Sequence, residues 1–171
     1  MLSIVVISDT HGDFDTLYDI ASRNRTADLF IHLGDGEREF DDLKSCFPDK
    51  AFIFVKGNND WGNRPVVHTF SYGGHKLYLT HGHSFERTSL HSFLSASAKA
   101  NGCDIALFGH THQPFNEIIN GVRLFNPGSP SRPRGMSKPS FGIIKIYDEN
   151  KAVFEHKEYK FWKYSDYYWK K

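Results

Sequence analysis

The sequence predicts an α/β fold, with mixed strands in two stacked sheets and helices outside. Three observations predict it. Short apolar runs rich in β-branched and aromatic residues recur along the chain, each broken at once by a polar, glycine-containing segment. Segments with helical spacing lie between the early runs. From Phe115 onward the pattern changes to paired short runs around turn residues.

Leu2–Ile7 is apolar along almost its whole length, as strands covered on both faces are, and it ends at Ser8-Asp9-Thr10-His11-Gly12. Asp13 or Asp15 can cap a helix through about Arg23. Leu29–Leu33 runs into Gly34-Asp35-Gly36, and Glu37–Cys46 then has helical spacing. Ala51–Val55 runs into Lys56-Gly57-Asn58-Asn59-Asp60. Val66–Tyr72 and His75–Leu79 flank Gly73-Gly74 as a hairpin, and Leu77–Leu79 leads into Thr80-His81-Gly82-His83. Ser84–Asn101 is the longest helical candidate, with Leu90, Phe93, Leu94 and Ala98 on one face and Gly102 placed to stop it. Ile105–Phe108 precedes Gly109-His110-Thr111-His112. Ile118–Ile119 and Val122–Phe125 flank Asn120-Gly121, a two-residue hairpin turn. Phe141–Tyr147 and Ala152–His156 flank another turn at Asp148–Asn150. No repeat or linker is visible, so one domain is expected over 1–157, with an aromatic and lysine-rich tail over 158–171.

Composition narrows the function classes. The 171 residues are 39% hydrophobic and 24% charged, a soluble globular balance. A net charge of +1 argues against nucleic acid and anionic membrane as partners. No apolar run reaches the length of a membrane span. The N-terminus lacks the basic region of an export signal. Cys46 and Cys103 supply neither a disulfide framework nor a thiolate metal set; both are expected as small buried hydrophobes in a reducing cytoplasm.

Six of the ten histidines, His11, His32, His81, His83, His110 and His112, fall within or just after apolar runs. Ligands of open α/β sheets bind beyond the carboxyl ends of strands. Asp9-x-His11, Asp35 between two glycines, or Asn58 in a turn would each be unremarked alone. Together, two carboxylates, an amide oxygen and imidazoles from two His-x-His pairs match a pair of divalent cations. With Asp35 as the bridge, Asp9, His11 and His112 complete one ion, and Asn58, His81 and His110 the other. Such a pair suits in-line displacement at phosphorus by a bridging hydroxide.

These blocks, in this order and spacing, resemble the calcineurin-like metallophosphoesterase superfamily over roughly Met1 to Tyr147. Asn126-Pro127-Gly128-Ser129 resembles its small prokaryotic phosphodiesterase branch. The resemblance implies a four-layer αββα sandwich, Mn²⁺ as the usual activator and homodimers. The O/N ligand set also admits Fe²⁺, Ni²⁺ and Zn²⁺. Where the broader family has His after Gly-Asn, this chain has Asn59, which can donate a hydrogen bond to a phosphoryl oxygen but not a proton. His83 is a candidate for the missing acid or a substrate contact, and equally for a packed side chain. Arg132 and Arg134 can fork a phosphate oxygen or stand solvated on a proline-stiffened turn. The expected activity is hydrolysis of a small phosphate ester, a diester above a monoester. Two other readings are a partner-binding scaffold, as in the family's retromer subunit, and a nucleic-acid module using the tail. Intact ligand positions count against the first. Near-neutral charge counts against the second and favours a tail packed on the domain or a second subunit.

Overall fold

The computed structural model describes residues 1–160 except Arg87 and Asn150. Its strands are β1 (Leu2–Ile7), β2 (Leu29–His32), β3 (Ala51–Phe54), β4 (Val67–Tyr72), β5 (His75–Thr80), β6 (Ile105–Leu107), β7 (Pro114–Ile119), β8 (Val122–Pro127), β9 (Ser140–Asp148) and β10 (Lys151–Glu158). The helices are α1 (Phe14–Arg23), α2 (Glu37–Cys46) and α3 (Leu90–Ala100). One sheet runs β10-β9-β1-β2-β3 and the other β4-β5-β6-β8-β7. Each is mixed. β1, β2 and β3 are parallel, as are β5, β6 and β8, and antiparallel strands complete the edges.

Alternation within β1 shows how an apolar run serves two layers. Ile4 and Val6 face the second sheet, in a core with Leu79, Leu107 and Phe125. Val5 and Ile7 face outward and bury Leu17 and Ile20 of α1 and Leu43 of α2. On the far side, Leu90, Leu94 and Ala98 of α3 cover Tyr78, Ala106 and Leu124. The result is the expected four-layer αββα sandwich. No described helix is long and apolar enough to cross a membrane.

Local signals explain most boundaries. Asp13 caps α1 by accepting the Thr16 N–H at 3.1 Å. Asn120 and Gly121 both take positive φ, 52° and 82°, so the β7–β8 hairpin turns as its dipeptide demands. Other expectations are corrected. α3 starts at Leu90 rather than Ser84: before it, Phe85 N–H bonds back to Gly82 O and Ser89 N–H to Glu86 O. Phe93 is exposed, because the buried stripe of α3 steps by four through Leu90, Leu94 and Ala98. Cys103 is buried but Cys46 is exposed, its core place at the end of α2 being taken by Phe47. β3 is an edge strand and only partly buried. Tyr159 packs into the α1 layer, its hydroxyl donating to Asp19 Oδ2 at 3.0 Å. The rest of the expected tail, residues 161–171, lies outside the described residues.

Candidate metal centre

Loops leaving the carboxyl ends of both sheets converge. Asp9 and His11 follow β1, Asp35 follows β2, His81 follows β5, and His110 and His112 follow β6. His112 Nε2 lies 3.2 Å from Asp9 Oδ1 and 3.2 Å from His11 Nε2. His11 Nε2 lies 3.9 Å from Asp9 Oδ1 and 3.8 Å from Asp35 Oδ2. His81 Nε2 lies 3.8 Å from Asp9 Oδ1 and 3.4 Å from Asp35 Oδ2. Two donor triads result, Asp9–His11–His112 and Asp9–Asp35–His81. Asp9 belongs to both, and Asp35 Oδ2 stands between His11 and His81.

The remaining predicted residues sit nearby in different ways. The His110 ring centroid is 5.2 Å from that of His81, and its backbone N–H donates to Asp9 Oδ2 at 3.0 Å. Asn58 is exposed on the loop after β3. Asn59 meets Asp35 directly, its backbone N–H donating to Oδ1 at 2.8 Å and its side-chain amide to Oδ2 at 2.6 Å. His83 is 5.5 Å from His81 between ring centroids, and its Nδ1 is buried without a hydrogen-bond partner among the described residues. Arg132 lines the cleft beside His11, whereas Arg134 reaches the site through its backbone, donating to His112 O at 3.3 Å.

Backbone conformation marks the same residues. Asp9, His11, Asp35, His110 and His112 have positive φ of 57°, 49°, 58°, 66° and 58°. Such φ is uncommon outside glycine and costs of order 1–3 kcal/mol per residue. Asn120, in its turn, is the one other described non-glycine case. The same left-handed backbone recurs at five strand-end donors, four of which belong to the two triads.

The histidines are also oriented. His81 Nδ1 donates to Leu33 O at 2.6 Å and His112 Nδ1 donates to Arg132 O, which leaves each Nε2 facing the cluster. Asp9 Oδ1 and His81 Nε2 are buried and have no hydrogen-bond partner among the described residues. Buried polar atoms are otherwise almost always paired. A carboxylate oxygen and an imidazole nitrogen that lack hydrogen bonds, 3.8 Å apart, fit ligands of divalent cations.

The sequence matches the calcineurin-like phosphoesterase superfamily domain over residues 2–149. The chain belongs to that superfamily. It is 32% identical over 157 residues to the probable metallophosphoesterase YsnB of Bacillus subtilis, covering 89% of each chain. It is 38% identical over 69 residues to the phosphodiesterase YfcE of Escherichia coli, a match spanning 40% of this chain and 34% of that one. A crystal structure of a predicted phosphoesterase from Streptococcus pneumoniae superposes with a TM-score of 0.74 at 25% identity, covering 91% and 98% of the two chains. The family and its metallophosphoesterase relatives support phosphoester hydrolysis as this chain's chemistry.

Charge around the cluster is balanced by opposing effects. Burial pushes the Asp9 carboxyl up, but His112, His81 and the Ser8 hydroxyl outweigh it and hold the pKa below the ordinary value. Asp35 is likewise raised by burial, then brought well below the carboxylate range by His81 and the Asn59 donors. His81 is lowered by burial, but Asp35 and Asp9 hold it above the ordinary imidazole value. Burial lowers His11, His83 and His110.

Three groups that hold the loops were not among the predicted site residues. Asp60 accepts backbone N–H bonds from Asp35 at 2.8 Å, Gly36 at 3.0 Å, Glu37 at 2.9 Å and Gly57 at 2.7 Å. Gly57 must stay bare there, since a Cβ would collide with Asp35 Oδ1. Ser129 Oγ donates to Asp9 O at 2.8 Å, and Asn126 Nδ2 donates to Gly109 O at 2.8 Å. The third group is a buried relay. Gly34 N–H donates to His32 Nδ1 at 3.2 Å, so His32 Nε2 carries the proton and donates to Thr10 Oγ1 at 3.0 Å. Thr10 in turn donates to Glu39 Oε1 at 2.6 Å, which also accepts the Gly12 N–H at 2.6 Å.

That relay requires neutral His32, and burial pushes its pKa down to about 4. The unfolded chain binds this proton at about 6.5. His32 therefore costs no stability above that value, and stability falls as pH drops from it towards 4. Between pH 7.5 and 5 the loss from this group is about 2 kcal/mol. Denaturant unfolding at the two pH values should show it, and His32→Gln, which keeps a donor for Thr10 but does not titrate, should flatten the difference by that amount. An unchanged difference would place the acid sensitivity elsewhere.

Proposed function

We propose that the chain is a dinuclear metal-dependent phosphodiesterase. The supporting observation is the pair of buried donors without hydrogen bonds, Asp9 Oδ1 and His81 Nε2, in triads built mostly from strained strand-end residues. In this reading Asp9, His11 and His112 hold one ion, Asn58, His81 and His110 hold the other, and Asp35 bridges. Two bound cations would neutralise charge on the phosphoryl oxygens and acidify water for in-line attack. Mn²⁺ is the proposed activator. The chain's own residues do the positioning. Leu33 O and Arg132 O fix the His81 and His112 tautomers. Asn59 fixes the Asp35 carboxylate while its exposed face meets substrate. Arg132, beside His11 in the cleft, takes a phosphate oxygen in a bidentate grip. His83, whose ring lies 5.5 Å from that of His81, contacts the leaving oxygen in this reading.

The diester preference follows from space. A diester carries one negative charge and leaves room for organic groups on both sides, and the cleft is open, about 630 Å³ in volume. Exhaustively chelated protein should be inactive, and Mn²⁺ should restore hydrolysis of bis(p-nitrophenyl) phosphate above that of p-nitrophenyl phosphate. A faster monoester would make the enzyme a phosphomonoesterase. Full activity after chelation would remove the metal from the reaction.

A further inference from the structure

The cleft beside the donor cluster carries a group that hydrolysis itself does not use. His11, Asp35 and Arg132 line it together with Arg38 and Trp61. The Trp61 side chain is almost bare, 94% exposed. Tryptophan is among the most buried residues on average, so a bare indole in the site cleft asks for a partner.

The backbone that presents it is fixed. Trp61 N–H donates to Glu37 Oε2 at 3.2 Å and Gly62 N–H to the same oxygen at 2.7 Å. A Cβ on Gly62 would collide with that carboxylate, so the chain passes close over the start of α2. Glu37 is itself held by Arg64, whose Nε lies 3.4 Å from Oε1 and whose guanidinium sits 5.7 Å from the Phe54 ring centroid. One residue earlier, Asp60 gathers its four N–H groups. The loop is thus tied down on both sides of Trp61 while the ring is left free, which is the arrangement of a binding platform rather than of a packing residue.

We propose that Trp61 stacks a planar aromatic ring of the nucleobase kind, carried on the arm of the substrate beside the scissile phosphate. The inference rests on the phosphodiesterase reading and adds a substrate class to it. Asp35 and Arg132 mark the phosphate end of the cleft and Trp61 the ring end. Stacking offers a face to any base without a hydrogen-bonding code, so the site discriminates ring from no ring more than one base from another.

Two esters with the same leaving group separate this from the chemistry: thymidine 5′-(p-nitrophenyl phosphate) and methyl p-nitrophenyl phosphate, with the Mn²⁺-loaded chain. The ratio of kcat/KM values should favour the nucleoside ester, fall about 10-fold in Trp61→Ala, and recover most of that in Trp61→Phe, whose ring still stacks. The same ratio in wild type and Trp61→Ala would overturn the platform. Failure of wild type to hydrolyse either ester would instead sink the phosphodiesterase reading, and binding then decides the platform alone. Thymidine 5′-monophosphate should quench tryptophan fluorescence in wild type and lose that quenching in Trp61→Phe, with methyl phosphate quenching neither. Equal quenching in both proteins would overturn it.

Discussion

Asp9→Asn should lower kcat/KM by about 10³-fold or more while leaving the melting temperature within a few degrees of wild type. Asp9 holds one proposed ion with His11 and His112, and its Oδ1 also lies 3.8 Å from His81 Nε2 of the other set, so its loss removes one ion's carboxylate and disturbs the second position. Several kcal/mol of charge stabilisation in the transition state then disappear, which sets the size of the effect. The fold should survive for a local reason. Asp9 Oδ2 accepts from the Ser8 hydroxyl at 2.7 Å and from the His110 N–H at 3.0 Å, and an amide oxygen can keep both bonds. The new amide N–H₂ then faces His112 Nε2, which carries no proton because Nδ1 donates to Arg132 O. Steady-state kinetics and a thermal melt on the same sample check the two halves. A near-normal rate would show that Asp9 is no ligand, and a collapsed melting temperature would make it a structural residue.

Asp60→Ala should do the reverse, destabilising the protein by about 3–5 kcal/mol. Its carboxylate is the acceptor of four backbone N–H groups from two separate loops, and it is buried. Alanine leaves those donors facing one another without a partner. For a domain of this size the melting temperature should fall by roughly 10 °C. Activity should fall as well, because Asp35 N–H and Gly57 N–H are two of the four. Asp60→Asn, with one acceptor oxygen in place of two, should lie between. A shift under about 2 °C for Asp60→Ala would mean that the loops hold without it.

The comparison of these two aspartates shows what the sequence makes legible. Asp9 is readable because a carboxylate follows a buried strand and a histidine stands two residues on. The same logic finds Asp35, His81, His110 and His112, and the strands that carry them. Asp60 stands in the same strand-end segment as Asn58 yet acts on backbone N–H groups, and every residue has those. No residue type at the receiving end betrays the contact. Glu39 is hidden in the same way, since its partners are a threonine hydroxyl and a glycine N–H brought from another loop. The over-long helix has a different cause. Ser84–Ser89 contains no residue hostile to a helix, yet the tight turn at Gly82, with φ of 99°, and the backbone bonds of Phe85 and Ser89 precede a helix that starts at Leu90. Phe93 counts as apolar in any periodic pattern, but it lies one step off the buried stripe and stacks instead on Phe85, 6.4 Å away between ring centroids.

The most direct test counts metal against rate in one titration. Mn²⁺ is added to chelated wild-type protein, bound metal is measured per chain, and hydrolysis of bis(p-nitrophenyl) phosphate is followed at each step. Two ions per chain should bind, and the rate should climb with the second equivalent rather than saturate at the first. A rate that is already maximal with one ion, or with none, would contradict the dinuclear centre built on Asp9 and Asp35.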